Sequence, residues 1–349
     1  MYGDDTLKKE ITIGNHSIGP GYPVYIIAEI GANHNRDLNI AKTLIEKAAA
    51  AGVDAVKFQT YRAENLYSRR APKFSKDDVE PFDLIKANEL PREWHQILFD
   101  YAAERNLHFL SSPFDSGAVD ELDSVGVPAF KVASFELIDL ELLKHIAQKK
   151  KPIILSVGLA TLGEIEDALE VIRTQGNDDI VLLHCASLYP SPPPVVNLNA
   201  IQTLSKAFQI PVGFSDHTLG IHVAVAAVAK GACMIEKHFT LDRTMKGPDH
   251  SFAIEPDELA QLVKNIRDVE SAMGTGVKLR SKAEQEMYEK GRRSIIAAKD
   301  ISKGQKIERD WLVVKRPGYG IKPKYLDLVV GRTAKRDIKA DEWITWDDV

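Results

Sequence analysis

The stretch 212–218, Val-Gly-Phe-Ser-Asp-His-Thr (VGFSDHT), begins as an apolar run and ends in polar residues. Its start has the composition of a buried strand, and its end carries groups that can do chemistry. Seven other short runs rich in Val, Ile and Phe share this form. They are VYIIAEIG (24–31), AVKFQTY (55–61), LHFLSSPF (107–114), AFKVAS (129–134), PIILSVG (152–158), IVLLHCAS (180–187) and CMIEKHF (233–239). Between them lie segments of helical period. In LNIAKTLIEKAAAAG (38–52), Leu38, Ala41, Leu44, Ile45, Ala48 and Ala49 share one face, and Gly52 supplies a stop. Similar helices are expected at 92–106, 139–149, 161–175 and 220–231. Eight strand–helix units in about 250 residues are the repeat number and length of a parallel (β/α)8 TIM barrel, an α/β fold. A doubly wound open sheet is disfavoured, because GANHN after the first run is not the G-x-G-x-x-G fingerprint.

The 349-residue chain is 44% hydrophobic and 27% charged, as in ordinary soluble globular proteins, and is long enough for about two domains. Its formal net charge of −5 gives no reason to expect nucleic acid or an anionic membrane as partner. The first residues hold no apolar signal-peptide core, and the longest apolar region, 221–235, is interrupted by His222 and Lys230. Cys185 and Cys233 each sit in an apolar run, so buried free thiols and a cytoplasmic location are expected.

The barrel is expected to fill residues 1–275, with the long connection 62–91 forming a lid or a dimer contact. The polar segment 276–294 reads as a linker. Beyond it, in 295–349, DISKGQKIERD (300–310) and DIKADEWITWD (337–347) match at a constant offset of 37 residues. Asp300/Asp337, Ile301/Ile338, Ile307/Ile344 and Asp310/Asp347 coincide, which predicts a small, mostly β domain with an internal duplication.

In a (β/α)8 barrel the active site lies at the carboxyl ends of the strands. Those ends carry Glu29, Lys57, Gln59, Ser111, Ser112, Lys131, Ser134, Glu136, Ser156, Ser187, Tyr189, Ser215, Asp216, His217, Glu236, Lys237 and His238. A single polar strand end is usually a solvated terminus. Lys57 and Lys131 differ, because each lies between apolar neighbours, and a buried ammonium demands an anionic partner, a carboxylate or a ligand. Two such lysines with several serines suit a phosphate and a carboxylate together. His217 and His238 end the seventh and eighth runs, and neighbouring strands lie about 4.8 Å apart, so two imidazoles could share a cation or be two unrelated hydrogen-bonded groups. Such a cation would be Mn²⁺, Zn²⁺ or another borderline divalent ion, with Asp216 and Glu29 ligating or holding water. Gly247-Pro248-Asp249 is a tight turn that presents a carboxylate near the same face. Arg316, in VKRPGYGIKP (314–323), reads by itself as a surface loop residue.

Taken in order, IAEIGANHN, VKFQTY, SSPF, FKVASFE, ILSVG, LLHCASLYP, GFSDHT, IEKHFTLD, GPDHSF and VKRPGYGI resemble the sialic acid synthase family, the phosphoenolpyruvate-dependent synthases of nonulosonic acids. The resemblance spans nearly the whole chain. It implies a TIM barrel followed by an antifreeze-like SAF domain, and a domain-swapped homodimer in which Arg316 reaches the partner's active site. It implies His217 and His238 as ligands of a divalent metal, most often Mn²⁺, with Mg²⁺ or Co²⁺ as alternatives. Lys57, Ser112, Lys131, Ser134, Ser156, Ser187 and Ser215 would cradle phosphoenolpyruvate. Gln59, Glu136, Tyr189, Asp249 and Arg316 would contact the amino sugar, and Glu29 would position water; Glu29, Glu136, Lys57 and Lys131 are the catalytic candidates. Family members often have Thr where Ser112 stands, and some carry Asn at the position of Ser187. The implied reaction joins phosphoenolpyruvate to N-acetylmannosamine, giving N-acetylneuraminate and phosphate with carbon–oxygen cleavage. A 2,4-diacetamido-2,4,6-trideoxy hexose, giving legionaminic or pseudaminic acid, is the alternative acceptor. A Schiff-base aldolase using Lys131 or Lys57 is an alternative of a different class, but it leaves the histidine pair and Arg316 unexplained. A non-catalytic binding protein built around the small domain is a third, and the polar groups at eight strand ends argue against it.

Overall fold

A computed structural model describes residues 10–73 and 79–349, so part of the 62–91 connection (74–78) lies outside the described residues. All eight runs are strands: β3 (Tyr25–Gly31), β4 (Ala55–Thr60), β5 (His108–Pro113), β6 (Phe130–Val132), β7 (Ile153–Ser156), β8 (Ile180–Cys185), β9 (Val212–Asp216) and β10 (Met234–His238). They pair in parallel in the order β5-β4-β3-β10-β9-β8-β7-β6. The two ends of that order, β5 and β6, lie side by side, so the eight strands form a near-closed TIM-like barrel. Before it comes a hairpin absent from the sequence reading, β1 (Ile11–Ile13) paired antiparallel with β2 (His16–Ile18).

Helices Leu38–Ala51, Trp94–Ala103, Leu140–Gln148, Leu162–Thr174 and His222–Ala229 fall where the periodicity places them. The first starts at Asp37, whose side chain accepts from the Asn39 and Ile40 amides, and stops at Gly52 in the left-handed region, φ 82°. Helices Ser116–Val125 and Ala200–Phe208 complete the alternation after β5 and β8. In the 62–91 connection, the described part carries Ala63–Leu66 and Pro81–Asn88, with Phe82 and Leu90 buried.

Strand residues alternate between two apolar zones. The outward set, including Ile26, Val56, Phe109, Phe130, Leu155, Leu182, Phe214 and Ile235, packs under the helices. The inward set, Tyr25, Ile27, Ala55, Leu110, Ala129, Ile154, Val181, Leu183 and Met234, forms a second cluster with Ile11, Ile13 and Ile18 of the hairpin. The hairpin therefore closes the amino-terminal end of the barrel. Both cysteines are buried and free. No helix among the described residues is long and apolar enough to cross a membrane.

The chain divides into two compact units, Met1–Gly274 and Thr275–Val349. Residues 276–294, read as a linker, contain the helix Gln285–Gly291 and belong to the second unit. That unit pairs β11 (Ser294–Ala297) antiparallel with β12 (Leu312–Lys315). Its duplicated half-motifs answer each other. Ile301 and Ile338 exchange both backbone hydrogen bonds at 2.8 Å, the Asp300 carboxylate accepts from the Ala340 amide, and Asp337 accepts from the Lys303 amide. Ile301, Ile307, Ile338 and Ile344 lie together in its core.

Candidate active site

Two residues beyond the last apolar inward positions, the barrel interior changes character. The inward side chains become Glu29, Lys57, Ser112, Lys131, Ser156, Cys185, Ser215 and Glu236, one from each strand, all buried. Lys57 Nζ lies 2.8 Å from Glu29 Oε2 and 3.8 Å from Glu236 Oε1, and donates to Ser112 Oγ at 3.3 Å. Lys131 Nζ donates to Ser156 Oγ at 2.6 Å and to the Val132 carbonyl at 3.0 Å, and sits 3.9 Å from Glu236 Oε1. Ser215 Oγ donates to the same Glu236 oxygen at 3.1 Å. Both lysines thus find the carboxylate partners that their burial demands.

Electrostatics follow from this geometry. Burial opposes the Lys57 charge, but Glu236 and Glu29 hold its pKa above the usual lysine range. Burial, with Lys57 nearby, leaves Lys131 below that range although Glu236 opposes the shift. Burial works against the Glu236 carboxylate too, yet Lys131 and Lys57 keep it ionised and shifted down. Glu29 moves up because burial outweighs the pull of Lys57.

Above this layer the strand ends deliver the rest. Gln59 Nε2 donates to Glu29 Oε1 at 2.8 Å. Gly31 sits at φ 52°, and a Cβ there would fall 2.8 Å from Asp249 Oδ2 and 3.2 Å from both Gln59 Nε2 and Glu29 Oε1. Those three side chains therefore meet over one glycine. A Cβ at Gly158 would likewise meet Ser187 Oγ, Cys185 Sγ and Ser134 Oγ within 2.9 Å, which locates the two serines on the opposite wall. Ser134 Oγ accepts from the Gly158 amide at 3.0 Å and lies 3.1 Å from Cys185 Sγ, whereas Ser187 Oγ is buried without a partner. Glu136, on the turn Ser134–Glu136, is buried with Oε2 unpartnered, and burial pushes its carboxyl up to about 7. Burial likewise raises Asp249 to about 6.

His217 and His238 stand with ring centroids 5.5 Å apart, and Tyr189 covers His217 at 4.3 Å. His217 Nδ1 donates to the Ala186 carbonyl at 2.8 Å, which leaves Nε2 unprotonated, 3.4 Å from Ser215 Oγ, whose proton goes to Glu236. His238 Nδ1 is buried without a hydrogen bond, 3.7 Å from Asp249 Oδ2. Burial holds both imidazoles below the usual histidine range, so they are neutral and keep the lone pair a cation needs. Among the described residues no group of three or more His, Cys, Asp and Glu is placed to hold a metal ion. The two imidazoles are the donors the chain offers here, and a cation between them would take its other ligands from water or substrate. The proposed ligation by Asp216 is corrected: strand alternation turns it away from the barrel axis, and it pairs with Lys237 at 2.7 Å.

The structure thus brings Glu29, Lys57, Gln59, Ser112, Lys131, Ser134, Glu136, Ser156, Ser187, Tyr189, Ser215, His217, His238 and Asp249 to one end of the first unit. Arg316 belongs to the second unit, where it is exposed and follows β12. Glu236 is the carboxylate that both lysines approach. The sequence marks it as a polar strand end in the same inward phase as Lys57 and Lys131, but not as their partner.

The first unit is a TIM-like barrel with paired lysines, hydroxyls and two neutral imidazoles gathered at the carboxyl ends of its strands. Residues 44–278 match the model of the NeuB family, and residues 292–349 match that of the SAF domain. The chain is 46% identical to the N,N'-diacetyllegionaminic acid synthase of Campylobacter jejuni, over 91% of this chain and 98% of that one. It is 36% identical to human N-acetylneuraminate-9-phosphate synthase, over 94% of this chain and 93% of the other. The crystal structure of an N-acetylneuraminic acid synthetase from Leptospira borgpetersenii superposes with a TM-score of 0.73 at 38% identity, covering 81% of this chain and 96% of that one. The chain belongs to the NeuB family, whose members include sialic and legionaminic acid synthases, and it is an enzyme.

Proposed function

We propose that the enzyme condenses phosphoenolpyruvate with an N-acetylated amino-sugar aldehyde, giving a nonulosonic acid and phosphate. The observation that carries this reading is the pair Lys57 and Lys131, set around Glu236 in a ring of hydroxyls beside His217 and His238. Phosphoenolpyruvate offers a phosphate and a carboxylate, which two ammonium groups and the hydroxyls of Ser112, Ser134, Ser156, Ser187 and Ser215 can neutralise and hydrogen-bond. His217 and His238 would hold a divalent cation, with Mn²⁺ expected and Mg²⁺ or Co²⁺ as alternatives; when bound, it supplies Lewis acidity toward the aldehyde oxygen.

Residues of the chain handle the protons. C3 of phosphoenolpyruvate bonds to the aldehyde carbon, which leaves positive charge at C2, and Glu136, whose carboxyl burial raises to about 7, gives its proton to the aldehyde oxygen. Glu29, its basicity raised by burial, takes a proton from the water that adds at C2. The C2 hydroxyl then becomes the C2 carbonyl as the bond from C2 to the bridging oxygen breaks, and phosphate leaves with that oxygen and the hydroxyl proton. Lys57 and Lys131 face the changing charge throughout, as preorganised electrostatic groups. Gln59, Tyr189, Asp249 and the partner's Arg316 would position the sugar. A domain-swapped homodimer is part of the proposal, supported by exposed Phe135, Ile138, Leu159, Leu188 and Leu219 on the loops after β6 to β9.

The identity of 46% to a legionaminic acid synthase, against 36% to the N-acetylneuraminate-9-phosphate synthase and 38% to the N-acetylneuraminic acid synthetase, favours a 2,4-diacetamido-2,4,6-trideoxy hexose as acceptor. The turn at Gly247-Pro248-Asp249 keeps N-acetylmannosamine as the second reading. The lowered pKa of Lys131 favours one further reading, a Schiff-base aldolase. Offering each sugar with phosphoenolpyruvate labelled at the bridging oxygen separates them. The synthase puts the label in phosphate and stops when metal is stripped. Full activity after stripping, or a borohydride-trapped lysine adduct, would sink it.

A further inference from the structure

Alternate strand residues take opposite faces, so the residues between the inward Ser215, His217, Glu236 and His238 point away from the barrel axis. Their outward neighbours Phe214 and Ile235 lie in the apolar shell beneath the helices. Asp216 and Lys237 continue those outward rows as charges. They sit opposite each other in register across β9 and β10, each 1% exposed. Lys237 Nζ reaches Asp216 Oδ2 at 2.7 Å and the Thr218 carbonyl at 2.5 Å, while Asp216 Oδ1 accepts from the Thr218 amide at 2.9 Å. An apolar pair would fill the same space, and a buried ion pair is weak support for stability by itself. What the ion pair adds is direction. Its bonds tie the last paired residues of β9 to β10 and fix the peptide that follows His217. Slippage by one residue between these strands would turn an imidazole out of the barrel.

We infer that Lys237 and Asp216 are positioning residues for the His217–His238 pair, setting the separation and aim of two imidazoles from behind the strands. Neither touches substrate. This inference rests on the reading of that pair as a cation site. It is tested on the full chain, stripped of metal and titrated with Mn²⁺, with the free ion followed by electron paramagnetic resonance. Wild-type protein should take up Mn²⁺. Lys237→Met should weaken uptake tenfold or more, Lys237→Arg should recover most of it, and the phosphoenolpyruvate dissociation constant should stay within about twofold. Asp216→Asn, which keeps the Oδ1 acceptor for Thr218, is the milder variant if Lys237→Met fails to fold, with a threefold loss expected. No uptake by the wild type, or uptake that His217→Ala leaves undiminished, overturns the cation site and this inference with it. Uptake by the wild type that the Lys237 and Asp216 variants leave unchanged, even with a lower melting temperature, overturns the positioning role alone.

Discussion

The barrel interior has two ends built from the same strands. At the amino-terminal end the inward positions are Ile27, Ala55, Leu110, Ala129, Ile154, Leu183, Gly213 and Met234. Two residues further along they are Glu29, Lys57, Ser112, Lys131, Ser156, Cys185, Ser215 and Glu236. One level is closed by the isoleucines of the hairpin, and the next is held by ion pairs and hydroxyls. Apolar burial is non-directional and tolerates sliding, so it suits a plug. Charges in a low-dielectric interior demand partners at fixed distances, so they give the upper level its geometry. The contrast teaches that stability and chemistry are separated by a single strand repeat.

That separation can be broken from either side. The largest effect is expected for Lys131→Met, which should lower kcat/KM by about 10³-fold or more, since a preorganised charge is lost where substrate charge changes. Near-wild-type turnover in steady-state kinetics would mean that the polar level is structural. Next comes the plug. Ile18→Ala deletes fully buried side-chain volume and should cost about 2–5 kcal/mol in denaturant unfolding, while kcat of the folded enzyme stays within about twofold. A parallel loss of kcat would merge the two levels into one.

The smallest effect belongs to Glu136. Its folded pKa, about 7, exceeds the ordinary 4.5, so its contribution to stability is complete below pH 4.5 and is lost as pH rises through 7. Glu136→Gln cannot ionise there. It should therefore gain on the wild type by about 3 kcal/mol at most at pH 8, with no gain at pH 4.5, and it should lose activity. Equal differences in unfolding free energy at both pH values would show that Glu136 is ordinarily solvated.

Much of this was legible along the chain. The eight runs and five helices follow from apolar period and from stops such as Gly52, because burial of one face enforces periodicity. Lys57 and Lys131 announced themselves as charges inside apolar runs. The hairpin 11–18 is not legible because three-residue strands hold too few alternations to register. The pairing of Glu236 is not legible because its partners come from β4 and β6, far away in sequence. Asp216 does not join His217, because adjacency along a strand means opposite faces, not a shared site.

The sequence by itself determined the barrel, the second unit with its duplicated halves, and the polar strand ends, since all of these depend on local pattern. Which carboxylate answers each lysine was decided only by tertiary structure. So was the convergence of Asp249, Gln59 and Glu29 over Gly31, and the turning of Asp216 away from His217 toward Lys237. Closing a barrel makes neighbours of strands distant in the chain, and only then do distance and burial assign each charge its partner.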